Sequence, residues 1–269
     1  MRASLVRRSA LAASVASLVL LASACGGSSD DSDSKSEAPN SSKSAPAAAE
    51  QSDVKALTAA ELEKASLADG DVADHKIEKA GAQDILKAAD VTSDKAECLP
   101  FAHALFAVPQ GKPVASTART ATTEPKASDA DTSGDMSDKD IDDAMNASMD
   151  VSSTMIDLAS YEGGDASDVV TAVRKAAAAC TAGFTATVQG DAQKLSGITE
   201  AKVAGGEEAA AWNMVAEQEG TKIPFGLVVV RQGSTVTTFT TINMAAALGK
   251  DVKLEQPTSV VDAQVKKLS

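Results

Sequence analysis

The residues best spaced for chemistry lie in one acidic stretch, residues 129–140, reading DADTSGDMSDKD. Its oxygens fall in the order of an EF-hand calcium loop. Asp129, Asp131 and Ser133 take the first, third and fifth ligand positions, and Gly134 the sixth, where the loop turns sharply. Asp135 offers its carbonyl at the seventh, Ser137 the ninth, and Asp140 the twelfth, one methylene shorter than the usual bidentate Glu. The metal set this spacing suggests is Asp129, Asp131, Ser133, Asp135 and Asp140, with Ca2+ held in the weak extracellular range of ~10⁻⁴–10⁻³ M. A working EF-hand also needs a helix on each side. Ile141–Met149 can supply the second, but Thr120-Ala-Thr-Thr-Glu-Pro125 upstream is poor helix sequence with a breaker in it. The segment 124–150 is therefore expected as a solvated acidic insertion, with calcium binding as its specific alternative.

Other chemistry has little to draw on. The chain has two histidines, His75 and His103, and His103 sits in a short apolar segment that suits packing better than general-base work. There is no G-x-S-x-G elbow, no H-E-x-x-H helix and no glycine-rich phosphate loop. No catalytic residue is assigned, and an enzyme is not expected. Trp212, the one tryptophan, lies in an alternating segment where Ala210, Trp212, Met214 and Ala216 share a face. It is the candidate lining of a ligand groove, with core packing as the competing expectation.

The three cysteines divide by position. Arg2, Arg7 and Arg8 begin the chain, Ser9–Leu21 is uncharged and apolar, and Ala22-Ser23-Ala24-Cys25 follows. This is the order of a secretory signal ending in a bacterial lipobox, where cleavage precedes a cysteine that carries diacylglycerol. The apolar run is short of the ~20 residues that span a bilayer. Residues 1–24 are thus a signal peptide and Cys25 the lipidation site. The expected location is the outer face of the plasma membrane, with the membrane itself as partner through two acyl chains. Cys98 and Cys180 remain, in an exported body without CxxC spacing, and a disulfide between them is expected.

Residues 25–53 are rich in Ser, Asp, Ala and Pro with almost nothing to bury, which makes a disordered tether of roughly 30 Å r.m.s. span. Residues 54–269 form the extracytoplasmic domain, long enough for one sizeable core. The net charge of −13 becomes more negative once the signal's arginines are removed. That disfavours nucleic acid, whose binders need a basic patch, and electrostatic adhesion to anionic lipid.

Within the domain, Thr58-Ala-Ala-Glu61 is a capping box opening a short helix. Short strands are expected near His75–Lys79 and over Val114–Thr123 and Ser152–Tyr161, with a helical turn after Cys98-Leu-Pro100. Ser167–Thr181 is the clearest helix, with Val169, Val173, Ala176 and Cys180 at helical spacing and Gly183 ending it. Strands follow over Phe184–Gln189, Leu195–Ala204, Ala209–Glu217, Ile223–Arg231 and Thr235–Met244. Gln232-Gly233 closes the last hairpin, and a final helix carries Val261, Val265 and Leu268. Runs of strands with helices grouped apart indicate an α+β fold, an antiparallel β-sheet with helices packed on one face.

This order resembles the PknH-like extracellular sensor domain of actinobacteria, which occurs on receptor kinases and as free-standing lipoproteins. The resemblance spans roughly residues 90–268. It rests on Cys98-Leu-Pro before a small helix, the Val169–Cys180 helix ending on a cysteine, and the Gly205-Gly206…Trp212 strand. The Ile223–Thr241 hairpin and the closing amphipathic helix complete it. That family typically carries two disulfides, where this body has cysteines for one. The resemblance implies a sensor-like module with a cleft in an α/β sandwich and no catalytic residues to carry over. The expected function is a non-enzymatic, sensor-like or ligand-binding lipoprotein, its partner an extracytoplasmic ligand. The alternatives are a carrier of lipid or another apolar ligand, and an envelope interaction protein without a small ligand.

Overall fold

Nine strands pair in the order β1-β3-β4-β9-β8-β7-β6-β5-β2, and every neighbouring pair is antiparallel. They are β1 His75–Lys79, β2 Val91–Ser93, β3 Ala115–Thr123, β4 Ser152–Ser160, β5 Phe184–Val188, β6 Asp191–Ala201, β7 Glu208–Gln218, β8 Thr221–Gln232 and β9 Thr235–Asn243. The computed structural model describes residues 55–125, 137, 148–218, 220–250 and 254–269. Cys25, the tether and the calcium-loop residues Asp129, Asp131, Ser133, Asp135 and Asp140 lie outside the described residues. The acidic insertion is the connection between β3 and β4, neighbours in the sheet.

Strands β5 to β9 form a meander, each paired to the next as its turn residues demand. Gln232-Gly233 closes the β8–β9 hairpin with Gly233 at φ +57°, the left-handed region that a tight hairpin requires. In β8 the run Leu227-Val-Val-Val230 is buried on both sides, so alternate residues enter different cores. Leu227 and Val229 face one core and Val228 and Val230 the other.

Both faces therefore need cover, and both receive helices. The first core takes α2, Leu99–Leu105, and α3, Asp165–Ala179. The second takes α1, Ala59–Ala65, and the closing helix α5, Thr258–Leu268. A four-residue turn of helix, α4 at Met244–Ala247, follows β9. The α+β class and the antiparallel sheet are as the sequence indicates. The helices, however, cover two faces rather than one, because a central strand without a polar side leaves no face for solvent.

Local details follow the residues. Thr58 Oγ1 caps α1 while Glu61 reaches back to the Thr58 amide at 2.8 Å. These bonds from Thr58 hold the Glu61 carboxyl below its usual value. Pro100 sits in the first turn of α2, where no amide donor is needed. In α3 the buried line is Ala166, Val170, Val173, Ala176 and Ala177, with Val169 only half-buried at its edge. Gly183 ends this region at φ +88°, and a side chain there would lie 2.5 Å from the Leu195 carbonyl oxygen. Cys98 bonds Cys180, tying the start of α2 to the end of α3 across 82 residues with Cα atoms 5.9 Å apart.

Candidate functional site

Trp212 is 3% exposed and packs edge-on against Phe101, ring centroids 5.5 Å apart, and Phe184 also meets Phe101 edge-on at 6.4 Å. It belongs to the first core and lines none of the clefts described below. As a groove-lining candidate it is displaced by its own surroundings. The large aromatic side chain fills the space between sheet and α2. The histidines also stand apart from the clefts. His75 Nδ1 lies 2.8 Å from the Ala73 carbonyl, and His103 Nε2 lies 3.4 Å from that of Val91.

What the structure offers instead is Asp157. It lies near the middle of β4, with Ala118 of β3 and Thr238 of β9 as its cross-strand neighbours. Its phase in the strand, shared with Met155 and Ala159, points it toward the first core while Ile156 and Leu158 enter the second. The residue is 6% exposed, and among the described residues its carboxyl makes no hydrogen bond or ion pair. Burial without compensation pushes this carboxyl up to about 8, so the acid is mostly neutral at pH 7. The directly opposed Thr238 hydroxyl is also buried and without a hydrogen-bond partner. Two strand positions farther on, Thr240 donates to the Leu105 carbonyl at 2.7 Å, so α2 satisfies one threonine of this face and not the other.

Asp157 reaches a cleft of about 270 Å³. Its walls are two loop segments laid over β3 and β4, one contributing Ile85, Leu86 and Lys87, the other Val108, Pro109 and Pro113. Leu86 and Val108 rest on the first core, which fixes the inner end of each wall. Ala107 turns the chain out of α2 into the second wall at φ +53°, a conformation seldom adopted by alanine. Pro109 and Pro113 stiffen that segment. The site is a mostly apolar slot with one acid in it.

Two further clefts differ in chemistry. On the second face, a cleft of about 430 Å³ is lined by Glu63, Leu67, Ile77, Lys79, Arg119 and Lys267. Its Glu63, Lys79, Arg119 and Lys267 charges are all engaged. Arg119 Nη2 donates to Glu63 Oε1 at 2.7 Å, its Nε to the Leu67 carbonyl at 3.1 Å, and its Nη1 to the Ala118 carbonyl at 2.9 Å. Glu63 also accepts from Lys79 Nζ at 3.0 Å and Thr117 Oγ1 at 2.8 Å. The Lys79 bond leads the effects that hold its carboxyl down to about 2. The third cleft, about 250 Å³, lies beside Tyr161, Asp165 and Asp168. The Tyr161 hydroxyl donates to the Gln110 carbonyl at 2.9 Å, and burial first, then Asp157, raises its pKa.

Sequence reasoning passed over Asp157, although a signal was present. Around Asp157, Met155 and Ala159 in one phase and Ile156 and Leu158 in the other are all apolar, and a lone acid inside such a stretch is expected to be buried.

No family model and no curated protein matches the chain. Among solved structures, the extracellular domain of PknH from Mycobacterium tuberculosis is similar at 11% identity and a TM-score of 0.47, over 80% of this chain and 98% of that one. An uncharacterized protein from Mycobacterium smegmatis, a Rv0999 ortholog, is similar at 10% identity and a TM-score of 0.29, over 81% of this chain and 98% of that one. At these scores and identities no family assignment follows.

Proposed function

We propose that the chain is a membrane-anchored extracytoplasmic lipoprotein whose α+β domain is a non-enzymatic, sensor-like module that binds a small ligand. The observation that carries the binding reading is the Asp157 cleft, a slot with mostly apolar walls and a buried acid that has no partner among the described residues. Small-molecule sites have this character, being mostly apolar with a few placed polar groups. Its volume falls just below the ~300–1,000 Å³ common for such sites, which suits a small molecule better than a long acyl chain.

Export is supported by the signal and lipobox order before Cys25 and by the Cys98–Cys180 bridge, which suits an oxidising compartment. No helix among the described residues is long and apolar enough to cross a membrane; the lipobox order is what assigns attachment to an acylated Cys25. Calcium binding by the acidic insertion stays a secondary proposal, checked by calorimetry at millimolar calcium on wild type and Asp129→Ala/Asp131→Ala.

Two measurements test the main reading. Cys25→Ser is expected to release the protein into the medium or to block its processing. Retention on membranes as firm as wild type overturns the anchor. Native mass spectrometry of the gently purified protein is expected to show a bound small molecule that Asp157→Leu no longer retains.

A further inference from the structure

From the geometry of the cleft we infer that its ligand is a small apolar primary amine, bound as the ammonium ion against the Asp157 carboxylate. This deepens the binding reading above and rests on it. Three features of the site lead to the ammonium group.

The first is the acid itself, which lines the cleft while making no bond to any described protein group. A buried carboxyl in this condition is strongly biased toward whatever brings it a positive donor, since the pair then offsets the desolvation that each ion suffers alone. The second is Thr238. It sits directly opposite Asp157 on β9, and side chains so placed in an antiparallel pair have Cβ atoms ~4.5–5.5 Å apart. Its hydroxyl has no partner while the acid is neutral, and a rotation about its side-chain bond lets it donate to the carboxylate once that forms. The protein thus holds one neutral donor in reserve for the ionised acid. The third is the wall, where Ile85, Leu86, Val108, Pro109 and Pro113 give an alkyl or aryl stem an apolar bed.

Binding transfers a proton in a balanced step. The ammonium ion enters with its three N–H bonds intact, the Asp157 O–H bond breaks, and that proton leaves to solvent. The other charged or titratable groups nearby are Lys87, which also lines the cleft, Tyr161 just after β4 and Asp165 at the start of α3. The Tyr161 hydroxyl is already committed to Gln110, and Lys87 is exposed. Since the free carboxyl titrates near 8, close to one proton is released per ligand at pH 7.

Titration calorimetry on the full-length chain carrying Cys25→Ser tests this with n-hexylammonium, 1-hexanol and hexanoate. These probes share a stem and differ in the head group. The expected result is at least tenfold tighter binding of hexylammonium than of hexanol or hexanoate. Heats compared in phosphate and Tris at pH 7 should report release of nearly one proton. Asp157→Asn should abolish the ammonium preference and the proton release, and should raise the melting temperature at pH 7 because the buried titrating group is gone. Lys87→Ala should keep the preference. Hexanol binding as tightly as hexylammonium, or an ammonium preference that survives in Asp157→Asn, overturns the amine assignment and leaves the binding module standing. No heat from any probe, with no ligand in the native spectrum, overturns both.

Discussion

Asp157 and Arg119 lie on neighbouring strands and are almost equally buried, 6% and 7% exposed, yet the protein treats them in opposite ways. Arg119 faces the second core and spends its guanidinium on Glu63, Thr117 and the Leu67 and Ala118 carbonyls. Asp157 faces the first core and, among the described residues, has no hydrogen-bond or ion-pair partner. The cleft beside Arg119 is the larger of the two, but Arg119, Glu63 and Lys79 there are already paired. Cleft volume is thus a poor guide to a binding site, and an unmet polar demand a better one. Paired charge holds the α1 end of the domain together, whereas unpaired charge destabilises the free domain and is available to a ligand.

The largest expected effect tests that difference through pH. A carboxyl whose folded pKa stands near 8, against ~3.9 unfolded, binds more protons in the folded state across that whole interval. Stability therefore falls as pH rises from about 4 to about 8, opposite in sign to an ordinary paired acid. The full span is on the order of 5 kcal/mol. Asp157→Asn removes the titrating group, so its urea-unfolding free energy should lack this slope and exceed that of wild type at pH 8.5. Only below about pH 3.5, where Asp157 is protonated in both states, should the two agree closely. Parallel pH profiles in the two proteins would mean that Asp157 is already compensated.

Arg119→Met makes the opposite break and should always destabilise. It leaves the Leu67 and Ala118 carbonyls without their guanidinium donors and Glu63 with one cation fewer. Glu63 is substantially exposed, so solvent screens its share, and most of the loss comes from the stranded Leu67 carbonyl, since the Ala118 carbonyl still accepts from the Ala80 amide at 3.1 Å. A fall of about 3 kcal/mol in unfolding free energy is expected at pH 7. A loss below ~1 kcal/mol would show that the paired charge contributes little, and the contrast with Asp157 would fail.

Much of this architecture was legible because its signals are local. The Thr58–Glu61 box, the β8–β9 hairpin, the face shared by Ala210, Trp212, Met214 and Ala216, and the two domain cysteines each announce themselves within a few residues. What stayed hidden depends on distant partners. Strand β2 is three residues long and exists because β5 accepts it, 93 to 97 residues away in pairing. Periodicity shows that α1 and α5 have apolar stripes, but not that these stripes cover a different face from α2 and α3. Asp157 belongs to the same class. Its type and its strand are visible, while its lack of a partner is a property of everything that folds around it.

Gln264 gives the smallest of these tests and sharpens the contrast most directly. The stripe expected on α5 was Val261, Val265 and Leu268, but the fully buried members include Val260, Val261 and Gln264, with Val265 and Leu268 only partly covered. A buried glutamine looks like an error of patterning until its bonds are traced. Its Oε1 accepts from the Leu67 amide at 3.1 Å and its Nε2 donates to the Ala65 carbonyl at 2.8 Å, closing the loose end of α1. The Leu67 carbonyl is the one that Arg119 holds, so both polar groups of Leu67 are met from elements far away in sequence. Gln264→Leu keeps the volume and removes both bonds, stranding a buried donor and a buried acceptor. A loss of about 2 kcal/mol is expected by urea unfolding, with faster amide exchange confined to the last turn of α1 and residues 66–68. If exchange there is unchanged, the paired face is held by its apolar contacts alone, and Arg119 and Gln264 are passengers rather than the counterpart of Asp157.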